Sequence, residues 1–282
     1  MIAITAATGN IGHHLAQKLA QASIPARLLV RELGKADTFG GKLEAIAANL
    51  DHPQTLAAAL SGITQLFLLS PGPDTPGQDV AAIAAAQQAG VRHIVLLSSL
   101  GVELGGIGGG RPHAPGEELL RQSGLEWTIL RPSEFMTNTL WWLPEIKARG
   151  SISVPSGSGA VGFIDPADIA AVAFTVLTQS PQAGKTYRLT GPEALSTAEV
   201  AALYGAVLGK PVRHNDISDA DYRSSAKQAQ MPQAMIEMLS EYNAALKEGR
   251  MNVLTADVQQ VTGRAPTRFA DWVRANLESG GA

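Results

Sequence analysis

Five short apolar runs, each separated from the next by a stretch with helical spacing, constrain this chain more than any other feature. They are Ile2-Ala3-Ile4-Thr5, Arg27-Leu28-Leu29-Val30, Leu66-Phe67-Leu68-Leu69, Ile94-Val95-Leu96-Leu97 and Trp127-Thr128-Ile129-Leu130. Runs that are apolar at nearly every position suit parallel strands covered on both faces, and strands that alternate with helices favour right-handed crossovers. The expected fold class is therefore α/β, a Rossmann-type doubly wound parallel sheet. At 282 residues the chain is long enough for such a core plus a small C-terminal substrate lobe.

The first unit is the most informative. Its strand runs into Ala6-Ala7-Thr8-Gly9-Asn10-Ile11-Gly12, and a helix follows with Ile11, Leu15, Leu19 and Ala22 at helical spacing. A second strand then ends at Arg31. Strand, glycine turn, helix and strand form a mononucleotide-binding unit in which backbone N–H groups and the positive helix end face a pyrophosphate. Ligands in such sheets bind beyond the carboxyl ends of the strands, which places Thr8, Arg31, Ser70 and Ser98 around one crevice.

Arg31 lies 19 positions after Gly12. An acidic residue at about this distance grips the ribose hydroxyls of NAD, so an arginine there points to the 2′-phosphate of NADP, which a guanidinium meets with charge-assisted hydrogen bonds. A solvated arginine at a strand end is the alternative. NADP(H) is the expected cofactor, with NAD(H) as the second choice.

Composition excludes several function classes. A formal net charge of −3, with 17% charged and 45% apolar residues, supplies no field for direct nucleic-acid or membrane-surface binding. The absence of cysteine removes disulfides, thiolate zinc sites and cysteine nucleophiles, and fits a reducing cytoplasm. Scattered histidines give no metal-ligand spacing. Neither a secretory leader nor an apolar run of about 18 residues, the length of a membrane span, is present. No internal repeat is visible.

Between the strands, Glu32 to Lys42 reads as a polar connection and Leu43 to Ala48 as a further strand. A helix with Leu56 and Leu60 starts at Asp51-His52-Pro53, another spans Gln78 to Ala89, and a third begins near Gly116 and runs to Gln122. Leu100 to Gly110 carries Gly101, Gly105, Gly106, Gly108, Gly109 and Gly110, the composition of a lid or of a plain flexible connection. Beyond Pro132 the pattern loosens, so residues 1–132 are expected to form the cofactor-binding core and 133–282 mainly the substrate lobe, with about 160–190 returning to the core. Phe135, Met136, Trp141 and Trp142 form an apolar cluster, read either as a pocket wall for a flat substrate or as a core or subunit contact, which leaves a homodimer open. Met231, Met235 and Met238 fit a deformable pocket cover or the buried face of one helix. Asp165 is read as a helix N-cap.

Thr8-Gly9-Asn10-Ile11-Gly12, Arg31, Leu68-Leu69-Ser70-Pro71, the segments 89–95 and 123–132, and Thr262-Gly263-Arg264-Ala265-Pro266-Thr267 together resemble the NmrA-like branch of the atypical short-chain dehydrogenase/reductases, on its quinone-reductase-like side. The resemblance implies an NAD(P)H-dependent oxidoreductase that reduces quinone-like or other conjugated small molecules by hydride transfer. The alternatives are an NADP(H)-sensing regulatory protein with a protein partner and a cofactor-independent role on the same fold. It places the cofactor on Thr8, Gly9, Asn10, Ile11, Gly12, Arg31, Asn49, Ser70 and Ser98. A substrate pocket is expected at Phe135, Trp141 and Met235.

Two departures from the family pattern carry expectations of their own. Ala6 replaces the usual tight-turn glycine; the methyl is tolerated where φ is negative, and the expectation is weakened or re-angled pyrophosphate binding rather than its loss. His113-Ala114-Pro115-Gly116-Glu117 stands where typical short-chain dehydrogenases carry Tyr-x-x-x-Lys, a histidine and glutamate pattern that resembles quinone-reductase-like members. That makes His113 and Glu117 the candidate catalytic pair, a proton donor and the group that holds its ring. The same residues also read as a loop histidine before an acidic helix start.

Overall fold

The computed structural model describes residues 1–39, 43–179 and 182–279. Parts of the expected 32–42 connection and of the 160–190 segment, and the last three residues, lie outside that range. The strands are β1 (Ile2–Ile4), β2 (Ala26–Val30), β3 (Glu44–Ala47), β4 (Gln65–Leu68), β5 (His93–Leu97), β6 (Glu126–Pro132), β7 (Ser151–Ser153), β8 (Ala160–Val161), β9 (Lys185–Leu189), β10 (Leu195–Ser196) and β11 (Arg213–Asn215). The helices are α1 (Asn10–Gln21), α2 (Leu56–Leu60), α3 (Thr75–Ala89), α4 (Gly110–Gln122), α5 (Leu143–Arg149), α6 (Pro166–Thr178), α7 (Thr197–Leu208), α8 (Asp219–Gln228), α9 (Gln233–Lys247), α10 (Asp257–Thr262) and α11 (Phe269–Ser279). No described helix is long and apolar enough to cross a membrane.

Seven strands make one parallel sheet in the order β3-β2-β1-β4-β5-β6-β9. The order reverses at β1, so the crevice between the carboxyl ends of β1 and β4 is where a doubly wound sheet receives its ligand. Alternation along each strand sends residues to opposite faces. Ile4, Leu28, Phe67 and Val95 pack on one face with Leu15 and Leu19 of α1 and Ile169 and Val176 of α6. Leu29, Leu66, Ile94 and Ile129 pack on the other with Leu60 of α2, Ile83 of α3 and Leu120 of α4. A third cluster, including Ile146, Ile152, Tyr204, Phe269 and Trp272, lies in the C-terminal part of the chain. β9 extends the main sheet beside β6, and α6 packs on α1.

Helix starts follow their caps. The side chains of Asp165, Ser196 and Ser218 accept backbone N–H groups at the starts of α6, α7 and α8, and Ser196 with Glu199 completes a capping box. Two helices begin earlier than the sequence suggests. Asp74 caps α3, which starts at Thr75 rather than Gln78. α4 starts at Gly110 rather than Gly116, so His113 is a helical residue and not a loop residue.

Candidate functional site

The glycine turn closes with a Gly9 N–H to Ala6 C=O hydrogen bond of 2.9 Å, and the first intrahelical bond of α1 runs from the His13 N–H to the Gly9 carbonyl. The N–H groups of Asn10, Ile11 and Gly12 therefore have no partner within the helix, and no side chain caps it. Thr8, Gly9 and Asn10 are exposed, whereas the side chain of Ile11 is in the core; it is the Ile11 backbone that is available to a phosphate. Gly12 is required by contact, since a Cβ there would sit 2.2 Å from the Ala6 carbonyl oxygen. Ala6 itself has φ +49°, so the negative φ under which its methyl is tolerated without strain is not met. An alanine in the left-handed region costs about 1 kcal/mol, so the turn keeps its glycine-like shape at the expense of strain in one residue.

Arg31 is exposed just beyond β2, with no hydrogen bond or ion pair among the described residues. A free guanidinium near an uncapped helix N-terminus fits an adenosine 2′-phosphate together with a pyrophosphate. Asn49 is less free: its Oδ1 accepts the Asp51 N–H at 3.1 Å in a local turn, and its N–H donates to Thr55 Oγ1 at 3.1 Å.

Ser70 and Ser98 occupy equivalent places beyond β4 and β5, and both are buried. The Ser70 hydroxyl donates to Asp79 Oδ1 at 2.6 Å, and the Ser98 hydroxyl donates to Glu117 Oε1 at 2.5 Å. Each hydroxyl proton is thereby committed, and each oxygen remains an acceptor for a ligand N–H. Asp79 lies on α3 against α4, where the absence of a side chain at Gly116 is needed: a Cβ there would come within 2.0 Å of Asp79 Oδ2.

The expected coupling of His113 to Glu117 is not formed. Glu117 is 1% exposed and is occupied by Ser98, by Arg121 at 2.8 Å, and by Arg131, whose Nε and Nη2 reach its two oxygens at 2.8 and 2.6 Å. Burial pushes the Glu117 carboxyl up, but the hydrogen bonds from Arg131, Ser98 and Arg121 and the Arg131 charge outweigh it and hold it below the usual glutamate range. Buried Nδ1 of His113 has no partner among the described residues, and burial lowers the ring's pKa against the opposing pull of Glu117. The ring is thus neutral near pH 7, and no second group fixes its tautomer.

A cavity of about 760 Å³ opens beyond the carboxyl ends of β4, β5 and β6. Ser70, Ser98 and His113 line it near the sheet, and Phe135, Trp142 and Met251 contribute to its mainly apolar wall. Thr8 and Arg31 lie outside it, so the sequence-predicted residues separate into a phosphate end and a cavity end. Phe135 lines the cavity as expected, and Trp141, 66% exposed, also borders it. Met235 does not: it is exposed and absent from the lining, whereas Met231 and Met238 are present. The three methionines share no helix face because Met231 precedes α9, whose buried side is formed by Ile236, Ser240 and Asn243.

The glycine-rich segment is folded rather than open. It contains a 3-10 turn over Leu100–Val102, and α9 covers it through the ion pair of Arg111 with Glu241 at 2.5 Å and through Tyr242 packed at Gly108. Sequence reasoning missed Asp79, Glu134 and Tyr242. Asp79 left one signal, a carboxylate inside an otherwise apolar helical run; Glu134 and Tyr242 left none, because they meet only in the folded chain.

Residues 6–180 match the model of a family described as NAD(P)H-binding. An NAD(P)H azoreductase of Xenophilus azovorans is 34% identical over 285 residues, with both chains covered to 100%. The solved NADPH complex of the NADPH-dependent quinone oxidoreductase QOR2 from Escherichia coli superposes with a TM-score of 0.89 at 28% identity, covering 98% of this chain and 99% of that one. The negative transcriptional regulator NmrA in complex with NADP shares the fold, with a TM-score of 0.76 at 17% identity, covering 100% and 97% of the two chains. With an uncapped helix over a glycine turn and these matches along its whole length, the chain belongs to the NAD(P)H-binding family.

Proposed function

We propose that this chain is an NADPH-dependent reductase of quinone-like or other conjugated small molecules. The observation that carries the reading is the pairing of two features at the carboxyl ends of one sheet: an unpartnered phosphate end at α1 and Arg31, and a mainly apolar 760 Å³ cavity lined by Ser70 and Ser98. Residues 1–132 form the cofactor unit and 133–282 mainly the substrate lobe, with about 160–190 joined to the core.

In this reading Thr8, Gly9, Asn10, Ile11 and Gly12 hold the pyrophosphate through backbone N–H groups, and Arg31 takes the 2′-phosphate. Asn49 borders the adenine side. Ser70 and Ser98 accept hydrogen bonds from the nicotinamide end and fix its depth in the cavity. When bound, the cofactor supplies the hydride. Phe135 and the tryptophans hold a flat acceptor against it and exclude water, so positioning carries most of the protein's contribution. His113 sits in the cavity wall as a neutral imidazole, able to donate a hydrogen bond to an acceptor oxygen but poorly suited to deliver a proton. Glu117 acts through Ser98 as a positioning residue.

NADPH oxidation followed with a panel of quinones, azo dyes and other conjugated acceptors tests the reading. Turnover with one of these acceptors is expected. Tight NADPH binding with none would instead favour an NADP(H)-sensing role. Arg31→Ala is expected to weaken NADPH by about 10-fold or more while changing NADH by less than about 2-fold, read by calorimetric titration. Equal losses for the two cofactors would overturn the phosphate assignment.

A further inference from the structure

Glu134 follows β6 and lines the cavity, yet nothing in the phosphate end or the serine pairs uses it. Its Oε1 accepts Asn138 Nδ2 at 2.5 Å. Tyr242 of α9 packs beside the carboxyl, but its buried hydroxyl completes no hydrogen bond. No lysine, arginine or histidine nitrogen pairs with Glu134 among the described residues. The other ionisable groups lining the cavity are His113 from α4, Glu145 and Arg149 from α5, Tyr222 from α8 and Tyr242 from α9. None of them compensates Glu134. His113 is neutral, Arg149 is exposed, and Glu145 accepts hydrogen bonds from Ser151 and Ser153 at 2.9 and 2.6 Å.

A carboxylate in a mainly apolar cavity costs several kcal/mol unless a counter-charge reaches it. Burial accordingly raises the Glu134 pKa, against the opposing hydrogen bond of Asn138 and the lowering influence of the nearby Tyr242 hydroxyl. The missing counter-charge can come from a ligand that fills the cavity.

We propose that Glu134 is a specificity-determining residue that selects conjugated aromatic ligands carrying a cationic nitrogen, such as a protonated ring or aryl amine. The proposal rests on the cavity being the substrate site. The apolar wall takes the aromatic body, the Glu134 carboxylate takes the charge, and Tyr242 is at hand to turn its unmatched hydroxyl to the same carboxylate or to the ligand. Because Glu134 is protonated more readily than an ordinary glutamate, binding of a cation displaces its proton into solvent as the two charges pair.

Binding is measured without turnover, on protein loaded with NADP⁺, using two tricyclic ligands of similar size. Acridine is neutral at about pH 8, and 9-aminoacridine is cationic. The expected result is that 9-aminoacridine binds about 10-fold or more tightly than acridine. Glu134→Gln should remove that preference while leaving acridine binding within about 2-fold, which also shows that the cavity is intact. In wild type, calorimetry in buffers of different ionisation enthalpy should detect more proton release with 9-aminoacridine than with acridine at about pH 8, where acridine is neutral, and that release should grow as pH falls. That measurement decides the matter even if the variant does not fold. Equal affinity for the two ligands, a preference retained in Glu134→Gln, or proton release no greater with 9-aminoacridine than with acridine at every pH between about 5 and 8 would each overturn the role of Glu134 and leave the reductase reading intact. If neither ligand binds wild type, the cavity is not an aromatic-ligand site and the proposal falls with that reading.

Discussion

Ser70 with Asp79 and Ser98 with Glu117 are two versions of one device, placed at neighbouring strand ends. In each, a buried serine donates a short hydrogen bond to a carboxylate from the covering helices, at 2.6 and 2.5 Å respectively. They differ in what surrounds the carboxylate. Glu117 is paired with Arg131 and Arg121, so its charge is fixed. Among the described residues no cation opposes Asp79 and its buried Oδ2 has no partner, and burial lifts its pKa to about 6 against the hydrogen bond from Ser70. The same geometry is therefore a rigid mount at β5 and a titrating one at β4. Counter-charge, rather than the hydrogen bond, decides which.

Removing the counter-charged carboxylate should have the largest effect. Glu117→Ala leaves the Arg131 guanidinium, 14% exposed, with only the partly exposed Glu103 at 3.3 Å. Breaking a buried pair from one side costs about 3–5 kcal/mol, and urea unfolding at neutral pH should show a loss in that range. A loss below about 1 kcal/mol would mean that Glu103 suffices, and the contrast between the mounts would disappear.

Asp79 predicts a pH dependence of opposite sign. Its folded pKa of about 6 lies above the ordinary 3.8, so the folded state binds more protons between these values. Stability from this group is full below the ordinary value and is lost as pH rises through about 6. The loss is about 3 kcal/mol by linkage. Glu117, held below its ordinary range, works the other way: its contribution is present above the ordinary glutamate pKa and is lost as pH falls. Asp79→Asn keeps an acceptor for Ser70 and carries no charge. Unfolding free energies of this variant and wild type should agree near pH 4 and diverge by about 1–3 kcal/mol in the variant's favour near pH 8. A difference that does not vary with pH would show that Asp79 is ionised throughout.

The same contrast explains what could be read from the sequence. The cofactor half was legible because its determinants are local: a strand, a turn and a helix within 31 residues, repeated as buried runs that have few other uses. The start of α4 is hidden in the sequence because it carries Gly110, Pro112 and Pro115, residues with low helix propensity. Pro112 falls in the first turn, where an N–H has no intrahelical partner to lose, and only Pro115 removes a bond. His113 and Glu117 were legible as a pair by spacing, but spacing does not show that Arg131, 14 positions on, claims the carboxylate. Met235 failed for a related reason, since its helical spacing from Met231 was counted across a boundary that lies at Gln233. Asp79, Glu134 and Tyr242 acquire their character from burial and from neighbours far away in sequence, which no local pattern contains.

The smallest effect tests whether the serines or their carboxylates carry the difference. Ser98→Ala removes one of four donors to Glu117 and leaves the two arginines in place, so the carboxylate stays charged and satisfied. The expected loss is about 1 kcal/mol, unchanged between about pH 6 and pH 8. Ser70→Ala removes the one side-chain donor that Asp79 has among the described residues, so its carboxyl should be pushed still further up, and the pH-dependent part of the unfolding free energy should move to higher pH. Chemical denaturation of both variants across that range separates the cases. If Ser98→Ala also acquired a pH slope, the arginines would not be fixing the Glu117 charge, and the two mounts would be the same device after all.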